Sequence, residues 1–296
     1  MTTQGSGTAS GQVARLVRRG VVAVGGPDAV KFLNDLVTAD VTHAGPGSAV
    51  YAGLLTPQGK VLFDFIIFRD GDDFWIDLAR EKAADFAKRL GFYRLRANVT
   101  VADRSADHTV LAGWGGQPVD SARIAAPDPR LPALGWRAIV AGDGPGYASQ
   151  ADYDAHRIAC GVPEGGIDFA FGDLFPHDSD MDQLGGVDFT KGCYVGQEVV
   201  SRMEHRHTAR RRFVIATGAG PLPASGSEIA AAGKPIGTLA SSAGRIGLAL
   251  VRLDRAKEAM DKAEPLLAAD TPVTLALPPW ARFGWPEPAA AAAHEP

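Results

Sequence analysis

Cysteine is scarce in this chain: Cys160 and Cys193 are the two among 296 residues. Two thiols cannot build a disulfide framework, and their rarity fits a reducing compartment. They do not combine with histidine at metal-ligand spacing either. His205 and His207 stand two residues apart, which puts them on different faces of a helix, so no metal site is expected. No run approaches the ~20 apolar residues of a membrane span. Residues 1–11 are small and polar, without the apolar stretch of a secretory signal or an Arg-rich amphipathic helix. The expectation is a cytoplasmic, membrane-free protein. An excess of one charge is also missing. The net charge of −4 gives no global footprint for nucleic acid or for an anionic membrane. The remainder is ordinary: 46% hydrophobic and 22% charged residues describe a globular chain. Its length calls for two or three modules. The Ala-rich end, Pro286 to Pro296, reads as a frayed tail.

Asp28, after Gly26-Pro27, is a good N-cap, and Phe32, Leu33, Leu36 and Val37 then share one helical face. Ala52–Leu55 and Val61–Phe68 read as strands around a tight turn, Thr56-Pro57-Gln58-Gly59. On the second strand, Leu62, Asp64, Ile66 and Phe68 share a face. Asp64 is thus a carboxylate among apolar neighbours, which needs a partner or a ligand. A strand is expected over Phe74–Leu78, a helix over Glu81–Leu90, and further strands at 99–102, 110–114 and near 137–141. A second helix runs from about Ser149 to Cys160 and stops at Gly161. Gly165–Leu184 reads as a long irregular loop, a rarity that usually has a purpose. A helix follows over 196–205. Short strands with Gly/Pro turns then run from Arg211 to Leu277, interrupted by a helix near 254–260, and suggest a small barrel or sandwich.

The chemistry concentrates in Lys191-Gly192-Cys193-Tyr194-Val195-Gly196-Gln197-Glu198. Here a cysteine stands between a lysine and a helix start, and both favour a thiolate. The plainer reading is that a lone cysteine is a small buried hydrophobe. Glycines 192 and 196 allow tight turns, and Glu198 sits where an acid suits the helix dipole or pairs with Lys191. Further on, Arg202 to Arg212 holds five arginines and one acid. It is either a solvated helix end at a module junction or an anion-binding patch, since Arg forks grip carboxylates. RNA binding is the third reading.

The octapeptide resembles the K-G-C-Y-x-G-Q-E signature of the folate-binding YgfZ-type proteins, relatives of the glycine-cleavage T-protein (an aminomethyltransferase). The segments 32–41, 54–64, Phe92-Tyr93-Arg94-Leu95-Arg96, 157–169 and 233–238 resemble the same family, so the likeness covers roughly residues 12–282. It implies an α+β, T-protein-like fold: two ferredoxin-like modules and a C-terminal β-barrel around a central channel. The implied modules are 12–50 with 150–208, 51–149 and 209–282, with tails 1–11 and 286–296. It implies a monomeric, tetrahydrofolate-binding accessory factor for assembly or repair of iron–sulfur proteins. Its partners would be folate, A-type carriers and recipients such as the tRNA methylthiotransferase, with no direct nucleic-acid contact. Cys193 would be the functional thiol and Lys191 its charge partner. Asp64, Tyr194, Gln197, Glu198, Arg202 and Arg157 would serve the folate. Relative to the T-protein, one of two strand aspartates is replaced (Phe63-Asp64), and a glutamate gives way to alanine in Arg157-Ile158-Ala159-Cys160. These losses point away from aminomethyl transfer. The alternative is a folate-dependent aminomethyl or one-carbon transferase using Asp64.

Overall fold

The computed structural model describes residues 11–206 and 209–286; the expectations for residues 1–10, for His207 and for the end beyond Pro286 lie outside them. The chain forms two compact units. Unit one takes the described residues up to Leu55, Leu62–Tyr153 and Leu184–Val195; unit two takes Thr56–Val61, Asp154–Gln183 and Gly196 onward.

The first half of the chain runs β1 (Gln12–Arg15), β2 (Arg19–Gly25), α1 (Ala29–Asn34), β3 (Ala49–Leu55), β4 (Val61–Asp70), β5 (Asp73–Ala79), α2 (Ala83–Arg94) and β6 (Thr100–Asp103). Then come β7 (His108–Trp114), β8 (Ile124–Pro127), β9 (Trp136–Ala141) and α3 (Gln150–Ala159). One sheet has the order β3-β4-β5-β2-β6 and a second has β1-β7-β9-β8. Because β2 pairs with β5 and β6, the first sheet draws strands from both sides of the residue-50 limit expected from sequence. Strand β4 alternates as read: Phe63, Phe65 and Ile67 enter a core with Phe32 and Leu33 of α1 and Phe86 and Leu90 of α2. Asp28 does stand at the N-cap of α1, but its side chain makes no cap bond. It accepts instead from the backbone N–H of Asn98 at 2.7 Å.

In unit two the expected turn is present. The N–H of Thr56 donates to the carbonyl of Lys60, that of Gly59 donates back to Thr56, and Gly59 has φ +80°. Helix α4 (Gln197–Arg206) leads to β10 (Arg211–Gly218), β11 (Glu228–Ala231), β12 (Lys234–Ala243), β13 (Ile246–Arg252), α5 (Leu253–Asp261), β14 (Leu266–Ala268) and β15 (Thr271–Ala276). These six strands close into a barrel, β10-β13-β12-β11-β14-β15, which removes exposed edges. Its interior is Val214, Ile229, Leu239, Val251, Leu266 and their neighbours.

Candidate functional site

Residues 184–195 return the chain to unit one and carry Cys193. The loop is pinned from its first residues. Thr38, fully buried, donates its hydroxyl to the carbonyl of Gly186 (2.5 Å) and accepts there from the N–H of Gly53 (2.8 Å). The N–H of Asp188 donates to the carbonyl of Thr38 at 2.9 Å. The Asp188 carboxylate then accepts from the N–H and hydroxyl of Thr190 (2.8 and 2.7 Å) and from the N–H of Lys191 (3.1 Å). Burial raises this carboxyl, but the bonds from Thr190 and Lys191 outweigh it and hold it below the usual range. Asp40 repeats the device with the N–H and hydroxyl of Thr42.

Lys191 completes the clamp. Its ammonium donates to the carbonyls of Asn34 (2.6 Å), Val37 (2.7 Å) and Ala39 (3.2 Å). These lie at the end of α1 and just beyond it, where helix carbonyls lack partners and a cation is welcome. Burial lowers the ammonium's pKa, against the pull of Asp40, Asp188 and Asp35. All three of its N–H groups are thus engaged with backbone, so Lys191 is an anchor of the loop rather than a group reserved for Cys193. Glu198 does not receive it either; Glu198 pairs with Arg202 at 2.5 Å on the exposed face of α4. Lys191→Ala should loosen the loop by about 1–3 kcal/mol, the scale of charge-assisted bonds left unmade. Faster amide exchange at residues 37–41 and 186–191 is the readout, and unchanged exchange would remove the clamp.

Cys193 is exposed, whereas Cys160 is half-buried. An alkylating reagent should therefore modify Cys193 well before Cys160, which peptide mapping can read. Tyr194 is buried beside the thiol in sequence. Lys191 Nζ lies 5.4 Å from its ring centre, and its hydroxyl has no hydrogen-bond partner among the described residues. Burial, with the charge of Asp188 adding to it, pushes this hydroxyl up to about 12. In unit one, a cleft of about 410 Å³ is lined by Asp40, His43, Tyr51, Asp188 and Thr190 among others. Two groups of metal-ligating types have their atoms within 4.8 Å of one another: Asp40, His43 and Asp188, and in unit two His177, Asp182 and Glu204. Linear spacing could not reveal either, because each joins distant segments.

Asp64 is buried and accepts from the Tyr51 hydroxyl at 3.1 Å. It belongs to a belt of buried charge in unit one. Arg19 donates to Asp77 (2.6 Å). Arg137 donates to Asp77 (3.1 Å), Asp128 (3.2 Å) and the Tyr153 hydroxyl (2.5 Å). Arg130 forks onto Asp128 at 2.9 and 2.7 Å and lies 5.8 Å from the Tyr51 ring centre. Burial alone would raise the Asp128 carboxyl, yet Arg130 and Arg137 hold it far below the ordinary range. A depressed carboxyl contributes stability that is present above its unfolded pKa and lost as pH falls toward the folded value. Melting temperature should thus drop as pH falls below about 4, near the unfolded pKa. Asp128→Asn should flatten that slope, and an unchanged slope would contradict this assignment.

The remaining sequence-derived residues lie in unit two. Gln197 opens α4 and is partly exposed. Arg157 is fully buried and donates to the Val162 carbonyl (2.6 Å), Asp168 (2.6 Å) and the Ser241 hydroxyl (3.2 Å). It ties α3 to the barrel and is closed to a ligand carboxylate. The arginine-rich stretch is largely spent on the loop before it. Arg211 pairs with Asp178 (2.8 Å), and Arg212 with Asp182 (2.5 and 3.0 Å), Asp180 (3.3 Å) and the His177 carbonyl. These contacts all lie within unit two, so neither the solvated junction nor an open anion-binding patch describes these two arginines.

One unit with two antiparallel sheets and a second closing on a six-stranded barrel define a T-protein-like α+β protein. The GCVT N-terminal domain model matches residues 17–124, and the CAF17 C-terminal beta-barrel domain model matches residues 210–283. The glycine cleavage system aminomethyltransferase T of Bartonella henselae superposes with a TM-score of 0.68 at 16% identity, over 91% of this chain and 85% of that one, a likeness of fold. The mitochondrial iron–sulfur cluster assembly factor IBA57 homolog of Mycosarcoma maydis is 32% identical over 93% of this chain and 85% of its own length. The mitochondrial IBA57 protein of Mus musculus is 31% identical over 92% and 85%, and that of Homo sapiens 31% over 87% and 83%. The chain belongs to the IBA57 family of iron–sulfur cluster assembly factors. The expected cytoplasmic location is overturned, because these relatives are named as mitochondrial proteins; a low cysteine count reports redox conditions and does not tell one reducing compartment from another. No helix among the described residues is long and apolar enough to cross a membrane.

Proposed function

We propose that this chain is a tetrahydrofolate-binding accessory factor for assembly or repair of iron–sulfur proteins, acting through the Cys193 thiol as YgfZ-type proteins are expected to do. The observation that carries this reading is the exposed Cys193 on a loop held by Thr38, Asp188 and Lys191, in a chain whose relatives are named iron–sulfur cluster assembly factors. An exposed cysteine sulfur can ligate an iron–sulfur cluster in transit. With Cys160 half-buried, one exposed thiol among the described residues supplies a single ligand. A cluster would therefore be shared with a carrier or recipient protein, as cargo rather than as a resident group.

Folate fits the residues in part. A pterin offers N–H groups that suit a carboxylate and ring nitrogens that suit a hydroxyl. Asp64 supplies the first, and Tyr194, with its buried hydroxyl lacking a partner among the described residues, supplies the second. Arg157 is engaged elsewhere, and Arg202 and Glu198 satisfy one another, so the glutamate tail would rely on other cations. Tetrahydrofolate titrated calorimetrically into Asp64→Ala should bind several-fold more weakly, as loss of a charge-assisted bond worth about 1.5–3 kcal/mol would give. Unchanged affinity removes Asp64 from the site. Formation of product from a reduced lipoyl carrier, ammonia and methylenetetrahydrofolate would favour the transferase instead.

A further inference from the structure

The end of α2 presents a surface that neither the core nor the thiol loop uses. Phe92 is 66% exposed and Leu95 90% exposed. Leu95 also holds φ +42° with ψ −101°, a left-handed conformation natural to glycine and strained for leucine. Folding alone gains nothing from a leucine here: it buries almost no area and carries backbone strain. Around it, residues 84–97 hold Lys88, Arg89, Arg94 and Arg96 against the single acid Asp85. None of the four cations has an ion-pair partner among the described residues; Arg94 makes one long bond, to the Val99 carbonyl. This local excess stands in a chain of net charge −4. Tyr93, one residue from Phe92, packs with Val30, Leu62 and Val195 against the α1–α2 core. Val195 is two residues beyond Cys193, so the thiol loop and the α2 end insert into the same apolar layer of unit one.

We infer that the α2 end is a docking ridge for an acidic protein partner, with Leu95 and Phe92 as apolar anchors and Lys88, Arg89, Arg94 and Arg96 as the charged rim. Charge complementarity selects the partner: a surface of carboxylates around an apolar socket. An apolar centre with a charged rim is the anatomy of a protein interface. This deepens the reading above and rests on it, since the partner would be the protein that shares a cluster with Cys193.

The test uses the full chain with Leu95→Gly, Phe92→Ser, and the pair Arg94→Glu with Arg96→Glu. Leu95→Gly relieves the strained φ and should melt at or above the wild-type temperature, so a loss of function cannot come from unfolding. Iron–sulfur enzyme activity is measured in cells lacking the endogenous protein, with Cys193→Ala alongside. In vitro, a short acidic amphipathic helix, phosphatidylglycerol vesicles and a single-stranded RNA are titrated by fluorescence anisotropy or co-sedimentation. The ridge variants should lower complementation and weaken the acidic helix by about tenfold, with affinity falling as salt rises. Full complementation by all ridge variants while Cys193→Ala fails overturns the ridge and leaves the thiol reading standing. Full complementation by every variant, Cys193→Ala included, overturns the thiol reading and the ridge with it. Tighter binding of vesicles or RNA than of the acidic helix, or no helix binding by wild type up to millimolar concentration, overturns the protein partner.

Discussion

Cys193→Ala is expected to abolish support of iron–sulfur enzymes in cells lacking the endogenous protein, while tetrahydrofolate affinity stays nearly intact. The side chain is exposed, so its loss creates no cavity and breaks no packing. What is lost is a soft ligand, and the other cysteine, Cys160, is half-buried. A pterin takes little from a thiol; it needs an apolar slot and a few polar groups. The two measurements are recovery of iron–sulfur enzyme activity and calorimetric folate titration of the purified variant. Full complementation would make the thiol dispensable. Joint loss of folate binding and complementation would place Cys193 in the folate pocket and end the two-part proposal.

Arg137→Ala is expected to destabilise the protein by about 3–5 kcal/mol, the cost of removing one partner from a buried charge network. Arg137 is 2% exposed and touches Asp77, Asp128 and Tyr153 together. Removing it leaves two buried carboxylates with less compensation in a medium of low dielectric. The exposed pair Lys31–Asp35 is the control; Lys31→Ala should move the urea midpoint little, because solvent screens such pairs. Equal midpoints for the two variants would show that the belt contributes no more than surface charge does.

Local signals in the sequence were readable where a single segment decides the outcome. Phe32, Leu33, Leu36 and Val37 are all buried, though α1 ends at Asn34, so Leu36 and Val37 pack from the turn beyond it rather than from the expected helical face. The Thr56–Gly59 turn and the positive φ of Gly59, Gly161 and Gly196 follow from residue type. Strand β2 is not legible from residue pattern, because Arg19-Gly20-Val21-Val22-Ala23-Val24-Gly25 is a short apolar run without alternation, buried on both faces. The site was legible as a motif and less so as chemistry. A lysine two residues from a cysteine reads as its activator, but Lys191 is turned toward carbonyls that no local rule points to. The family resemblance gives Arg157 a ligand role, yet Asp168 and Ser241 claim it. Asp64, a carboxylate on an apolar strand face, needs a partner. That partner, Tyr51, comes from the neighbouring strand of the same sheet, a pairing of tyrosine with aspartate that residue patterns do not specify.

The clamp on the thiol loop also sets an order of events. Lys191 reaches a carbonyl 157 residues earlier, at Asn34. On a ribosome adding about 5–20 residues per second, that interval lasts roughly 8–30 seconds. Throughout it, the carbonyls of Asn34, Val37 and Ala39 lack the Lys191 ammonium that they accept from in the folded protein. Cys193 leaves the ribosome after Lys191 and Thr38's other partners. The thiol thus has no fixed presentation until the sheets that support it are already in hand, and a nascent or truncated chain ending before residue 191 would carry the receiving carbonyls without the thiol or the ammonium that holds its loop.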